Sequence, residues 1–429
     1  MLAKAVYAGV MCRSFALASE ALWQLAEIDV STKQVERRTR EIGTERCRER
    51  DVAADAYGAL TLVERKGVPT GTTAPDLAVV EMDGGRLQIR ERTTAGDKAV
   101  SAGERTKKGT HWREDKIGVL ASMTSACHAS DPCPTIPNHF VDASRIEQLV
   151  KEIKANAKAN LKRESSGDTT AIAGDPSASD ELASDESASD ESATAPEYDP
   201  PELLTRSVVA TKQEAHRFGE LLACAAWQRG FYGSSRRAFL GDGSGANWGV
   251  WERHFSSFTP IVDFIHALTY VYQGAMAGGS FAAGWSRYTA WIAALWSGDV
   301  DTVLAGLDSR RAEVGNPDES DEETSPRRKL AESARYLRNQ RERMQYAAYR
   351  TAGLPITTSH VESTVKQVNR RVKGTEMFWS ESGSEAILQL RADQLSETKP
   401  LDAFWSRRAE RTTGDRRYPS RDFTKTLSA

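Results

Sequence analysis

Three carboxylates stand where a chain can do metal chemistry. Asp83 closes an apolar run and precedes Gly84-Gly85, Asp242 sits between two glycines just after Ala238-Phe239-Leu240, and Glu362 lies in the first turn of a helix beginning near Ser359. In an α/β sheet the strand ends present polar side chains along one rim, and an adjacent helix can aim a third acid there. Clustered carboxylates raise one another's pKa and cannot all ionise without compensation. Mg²⁺ (or Mn²⁺) supplies that compensation. It is hard, takes oxygen ligands, and leaves room for waters and phosphate oxygens. A pair of such ions, bound by Asp83, Asp242 and Glu362, would stabilise the attacking and leaving oxygens of an in-line phosphoryl transfer. Each acid also has a plainer reading. Asp before two glycines is a turn signal, Asp242 in GDGSG fits a loop, and Ser359 to Glu362 has capping-box spacing.

The elements that would position these acids can be read from periodicity. Residues 77–90 read as a hairpin turning at Gly84-Gly85, with a further strand at Ile117–Met123 and a helix over 142–163. A helix over 211–229, a short strand at Ala238–Leu240 and a strand at Thr259–Ile265 follow. From His266 to Arg350 the pattern is helical, and Ser325-Pro326 opens an arginine-rich helix. On the helix carrying Glu362, residues 362, 366, 369 and 373 share a face. Lys366, Arg370, Arg371 and Lys373 would place a basic surface for DNA phosphates beside the metal site. Residues 15–43 read as two helices. Ser31 and Gln34 have capping-box spacing, and Val30 with Val35 fits a hydrophobic staple. The second helix offers Lys33, Gln34, Arg37 and Arg38, as a helix–turn–helix offers a recognition helix to a DNA groove. An ordinary helical hairpin with a solvated face fits the same residues.

Charge is distributed unevenly. Residues 164–202 hold twelve acids and no Lys or Arg; without them the formal charge moves from −3 to +9, which permits a polyanionic partner. The repeats ASDEL, ASDES and ASDES within that stretch predict a disordered, solvated tether. Residues 407–425 read as part of an extended basic tail. The hydrophobic fraction of 39% suffices for a core and argues against wholesale disorder. The most apolar region, 261–296, is broken by Asp263, His266, Gln273 and Arg287, so no membrane-spanning helix is expected. Five scattered cysteines suit reduced thiols in the cytoplasm, and Cys127-His128 with Cys133 makes a poor zinc site.

The segments VVEMDGGRLQIR, RRAFLGDGSGANWGV, IVDFIHALTYV and LPITTSHVESTVKQVNRRVKGTEMFW resemble, in order, the bacterial DDE transposases of insertion sequences, nearest the ISKra-type family. That resemblance implies an α/β, RNase H-like core interrupted by a helical insertion, with Asp83, Asp242 and Glu362 as its catalytic acids. It also implies that Asp263 and His266, a D-x-x-H feature, support the site or position DNA and are not metal ligands; a capped helix start with a satisfied histidine is the plainer reading. The expected organisation is a helix–turn–helix-like segment over 1–70, core over 71–163, acidic insertion over 164–202, core over 203–266, helical insertion over 267–350, the third acid's helix over 351–400 and a basic tail over 401–429. The implied partners are double-stranded DNA, as element ends and target, and further copies of the chain, in a cytoplasmic, nucleoid-associated setting. The acidic repeat and the early start of the helix–turn–helix depart from the family pattern. A remnant that only binds DNA, or an RNase H-like nuclease, are the competing expectations.

Overall fold

The computed structural model describes residues 1–90, 110–153, 198–374 and 377–411. Its centre is a mixed sheet of β1 (Leu77–Arg90), β2 (Thr110–Thr124), β3 (Glu202–Thr211), β4 (Arg236–Gly241), β5 (Thr259–Val262) and the short β6 (Phe378–Trp379). The strands lie in the order β3-β2-β1-β4-β5, with β6 also beside β1. β2 runs antiparallel to β1 and β3, whereas β4, β5 and β6 continue parallel to β1. The first six residues of β1, Leu77 to Met82, are all buried, as expected of a central strand covered on both faces.

The expected hairpin at 77–90 is instead one continuous strand. Gly84 and Gly85 pair with Lys116 and Asp115 of β2, and neither takes the left-handed conformation that a two-residue turn demands. Glycine serves close approach here. A Cβ on Gly85 would stand 3.0 Å from both carboxylate oxygens of Asp115. The expected strand through Ile265 ends at Val262, because Asp263 caps the following helix. β3 was not foreseen behind Pro200-Pro201, and the helix expected from 211 begins only at Ala215.

Helices cover the sheet. α1 (Leu2–Met11), α2 (Phe15–Ala26), α3 (Thr32–Ala59) and α4 (Leu62–Arg65) precede it, and α5 is described over 143–153. α6 (Ala215–Gln228) and α7 (Gly245–His254) connect the later strands. Between β5 and α13 (Ser359–Val372) the chain is helical: α8 (Phe264–Met276), α9 (Phe281–Trp296), α10 (Val300–Val314), α11 (Pro326–Gln340) and α12 (Tyr346–Thr351). α14 (Glu381–Leu395) and α15 (Pro400–Arg411) close the described chain. The first ten or so residues of the expected extended tail are therefore helical, and Arg407, Arg408 and Arg411 pair with Glu49, Glu45 and Glu49 of α3. The acidic stretch up to residue 197, the end of the helix expected over 142–163, and residues 412–429 lie outside the described residues. No helix among the described residues is long and apolar enough to cross a membrane.

The capping box at Ser31 and Gln34 forms, and Val30 packs against the small apolar cluster that includes the buried Val35. α3 runs well past the expected end at 43, because Arg46 is buried against α14. Its guanidinium meets Asp393 at 2.8 Å and Glu49 at 2.6 Å. Removing one partner of a buried ion pair leaves the other uncompensated. Asp393→Ala should therefore cost about 3 kcal/mol in urea unfolding, and Arg46→Met in that background should recover much of the loss. A single variant as stable as the parent would show that this pair does not hold α3 to α14.

Candidate metal centre

The parallel strands set the site. Glu81 of β1 pairs with Leu240 of β4, and Gly241 pairs with Val262 of β5. Asp242 and Asp263 directly follow β4 and β5 at their carboxyl-terminal rim, and Asp83, midway along the longer β1, comes two residues after the last β1–β4 pair. Ligand sites of open α/β sheets favour this edge. α13 crosses the same rim and brings Glu362.

Backbone amides and neighbouring side chains hold these acids. Gly84 N–H donates to Asp83 Oδ1 at 2.7 Å. Asp242 Oδ1 accepts from Ser244 N–H at 2.8 Å and from Asn247 Nδ2 at 2.9 Å. Asp263 is fully buried. Its Oδ2 accepts from both the backbone N–H and Nδ1 of His266 at 2.8 Å, and its Oδ1 accepts from Thr358 N–H at 2.9 Å. The capping box expected between Ser359 and Glu362 does not form, since Thr358 is the N-cap and no side chain of the helix caps it. Two acids from the sheet replace it: Asp263 takes the Thr358 amide, and Glu81 takes the Val361 amide at 2.8 Å. Glu362 takes neither amide; among the described residues its Oε1 accepts only a long bond from Thr358 Oγ1, at 3.5 Å.

The electrostatics record the crowding. Burial pushes the Asp83 carboxyl up to about 6, the Gly84 amide works against it, and the charges of Asp242 and Glu362 add to the rise. Burial also raises Glu362, with Asp263 adding and His266 and Lys366 opposing. His266 moves the other way from most buried histidines. Burial disfavours its imidazolium, but the hydrogen bond and charge of Asp263, with Asp242 and Glu362 behind, raise it to about 9. Glu81, fully buried two residues before Asp83, is pushed up to about 8 by burial, with the charges of Asp263 and Glu362 adding. Sequence reasoning passed over Glu81. Its only signal was an acid inside an otherwise apolar run.

Ligand atoms of Asp263, His266 and Glu362 lie within 4.8 Å of one another, a group that could hold a metal ion. The sequence placed Asp263 and His266 outside the ligand set, yet with Glu362 they form the one such group among the described residues, and Asp83 and Asp242 are not in it. Their hydrogen bonds qualify its chemistry. Both Asp263 oxygens already accept from protein donors, and His266 Nδ1 is committed to Asp263. Glu362 belongs both to this triangle and to the set expected with Asp83 and Asp242. Among the described residues no hydrogen bond reaches Oδ2 of Asp83 or Oδ2 of Asp242.

The basic residues after Glu362 divide. Lys366 and Arg370 are exposed, and Lys373 is half-buried with its charge acting on Asp115. Arg371 is not a phosphate contact. It is 3% exposed, donates from Nε to Gly9 O at 3.0 Å, and lies 4.6 Å from the centre of Phe15 and 4.9 Å from that of Trp379. It extends the inward seam of Val361, Thr364 and Val368, and burial lowers its pKa to about 10. On α3, Lys33, Arg37 and Arg38 are exposed, Arg38 pairs with Glu41 at 2.8 Å, and Gln34 closes the capping box with its own Oε1. No family model matches this chain, and no curated protein does.

Asp115 shows the cost of acid burial beyond the rim. It is fully buried, neither oxygen has a hydrogen-bond partner among the described residues, and burial raises it from 3.8 to about 7 despite opposition from the charge of Lys373. A carboxyl raised in the folded state binds its proton more tightly there. It therefore lowers stability as pH rises from 3.8 to about 7. Asp115→Asn should flatten this slope, with a melting temperature above the parent's at about pH 8 and near the parent's at about pH 4. Parallel melting curves across that range would remove Asp115 as the cause.

Proposed function

We propose that the protein is a DDE-type transposase of an insertion sequence, acting on double-stranded DNA through an RNase H-like core. The observation that carries this reading is electrostatic: the charges of Asp242 and Glu362 both raise the Asp83 carboxyl, as nearby like charges do. The strand order, with only β2 running against the rest, and the helical segment between β5 and α13 support it.

The donor set suits a hard divalent cation. Asp83, Asp242 and Glu362 offer carboxylate oxygens only, with Asp83 Oδ2 and Asp242 Oδ2 uncommitted among the described residues. Mg²⁺ or Mn²⁺, as a pair, would supply Lewis-acid stabilisation of the attacking and leaving oxygens. Asp263 orients His266 and anchors α13, so Glu362 is held at a fixed distance from the strand ends. His266, cationic at neutral pH, faces this negative charge. Lys366 and Arg370 extend a cationic surface from the site along α13, where a DNA backbone can be held. In the first reaction water adds to phosphorus at the element's end, breaking the bond to O3′ and freeing a 3′-hydroxyl. In the second, that hydroxyl attacks a target phosphorus in line, its new P–O bond replacing the target's P–O3′ bond, and the displaced target strand leaves with a 3′-hydroxyl. Neither step forms a covalent intermediate with the protein.

Duplexes carrying the DNA that flanks the gene test this reading. Asp242→Asn should abolish cleavage while leaving duplex affinity within about twofold, because it removes a metal ligand and no phosphate contact. A variant that still cleaves would take Asp242 out of the site. Replacing Lys366 and Arg370 with Ala should lower the slope of log affinity against log salt by about 0.9 for each phosphate no longer neutralised, on every sequence alike. Replacing Arg37 and Arg38 should impair discrimination of the element's ends from random DNA. Uniform weakening by the second pair would return α2 and α3 to a solvated helical hairpin.

A further inference from the structure

The loop bearing Asp242 is held from a direction that the sheet does not supply. Tyr336 of α11 donates its hydroxyl to Asp242 O at 2.7 Å, and Gln340, one turn on, donates from Nε2 to Gly243 O at 2.9 Å. Two successive carbonyls are thus bound by one helix face. Gly243 has φ +95°, and a Cβ there would lie 2.8 Å from Tyr336 Cε2 and the hydroxyl oxygen. Only glycine lets the loop turn and lets the ring come so near.

Both side chains of α11 are themselves fixed. The Tyr336 ring stacks on Tyr270 of α8, with centres 3.8 Å apart and planes 14° from parallel. Gln340 is 6% exposed, and its Oε1 accepts from Arg343 at 3.0 Å. The Arg343 guanidinium lies 4.5 Å from the centre of Trp248, on the helix that follows the Asp242 loop. Behind them Leu330, Ser333, Ala334 and Leu337 bury the inner face of α11.

We propose that Tyr336 and Gln340 are positioning residues for Asp242, so that docking of α11 sets the geometry of the metal centre. The proposal rests on the functional reading above for its consequence, though not for its geometry. Asp242 Oδ1 is fixed by Ser244 and Asn247 from within the loop, whereas Tyr336 and Gln340 fix the peptide that carries it. Groups behind metal ligands commonly change metal affinity or activity by about 10- to 100-fold when removed.

The test uses the full chain with Tyr336→Phe and Gln340→Met, singly and together. Both substitutions retain bulk and lose the donor. Tyr288→Phe is the control, since it removes a hydroxyl bond to Phe140 O from the same helical segment, away from the loop. Mn²⁺ binding is followed by electron paramagnetic resonance, cleavage as a function of Mn²⁺ concentration, and backbone exchange by mass spectrometry of peptides covering 241–248. In the double variant the Mn²⁺ needed for half-saturation should rise about tenfold, with cleavage largely regained at high metal and loop exchange accelerated. Tyr288→Phe should leave all three unchanged. Unaltered exchange and unaltered metal dependence in the double variant would overturn the proposal. Accelerated loop exchange in a protein that binds no Mn²⁺ would uphold the positioning role and sink the transposase reading instead.

Discussion

Confined negative charge at one rim of the sheet is the constraint on which the structure around the site depends. Glu81, Asp83, Asp242, Asp263 and Glu362 are gathered there, and like charges at short range raise one another's pKa. The chain answers with donors. Amides of Gly84, Ser244, His266, Thr358 and Val361 all point into these carboxylates, and the His266 ring adds a cation. Glu81 retains its proton up to about pH 8, which lowers the charge that must be accommodated. The charge that remains is what the proposed divalent ion would offset.

α13 is the element through which this arrangement is tightened. Its amino end has no side-chain cap of its own and is secured by Asp263 and Glu81, both fully buried. Its carboxyl end is secured by Arg371, wedged between Phe15 and Trp379 and bonded to Gly9 O of α1. Glu362 lies between these anchors, one residue beyond the Val361 amide that Glu81 receives. The same helix thus presents an acid to the rim, basic side chains to solvent and an apolar seam to the sheet.

Much of the site was legible because its residues occupy punctuated positions. Asp83 precedes glycines, Asp242 is flanked by them, and Asp263 with His266 has the spacing of a capped helix start. The remaining features escaped notice because of their context. Gly84-Gly85 carries the composition of a turn, but the turn requires positive φ, and pairing to β2 holds both residues extended. Glu81 was hidden because burial of an acid is the exception to the apolar pattern of a central strand. Arg371 was assigned to the basic surface by its neighbours in sequence. Its place on the seam of Val361 and Val368 would have put it inside, where its alkyl stem and guanidinium pack on aromatic rings. Tyr336 and Gln340 lie 94 and 97 residues from their partners, and no local pattern announces hydrogen bonds of that range.

The central claim is that the rim carboxylates, and not the Asp263–His266–Glu362 triangle, bind the metal. A crystal soaked in Mn²⁺, with anomalous diffraction collected at the manganese edge, tests it most directly. Density is expected about 2.1 Å from oxygens of Asp83, Asp242 and Glu362, the distance of a small hard cation from carboxylate ligands, with Asp263 still bonded to His266 and the Thr358 amide. Density bonded to His266 Nε2 and Asp263, with Asp83 and Asp242 uncoordinated, would contradict it.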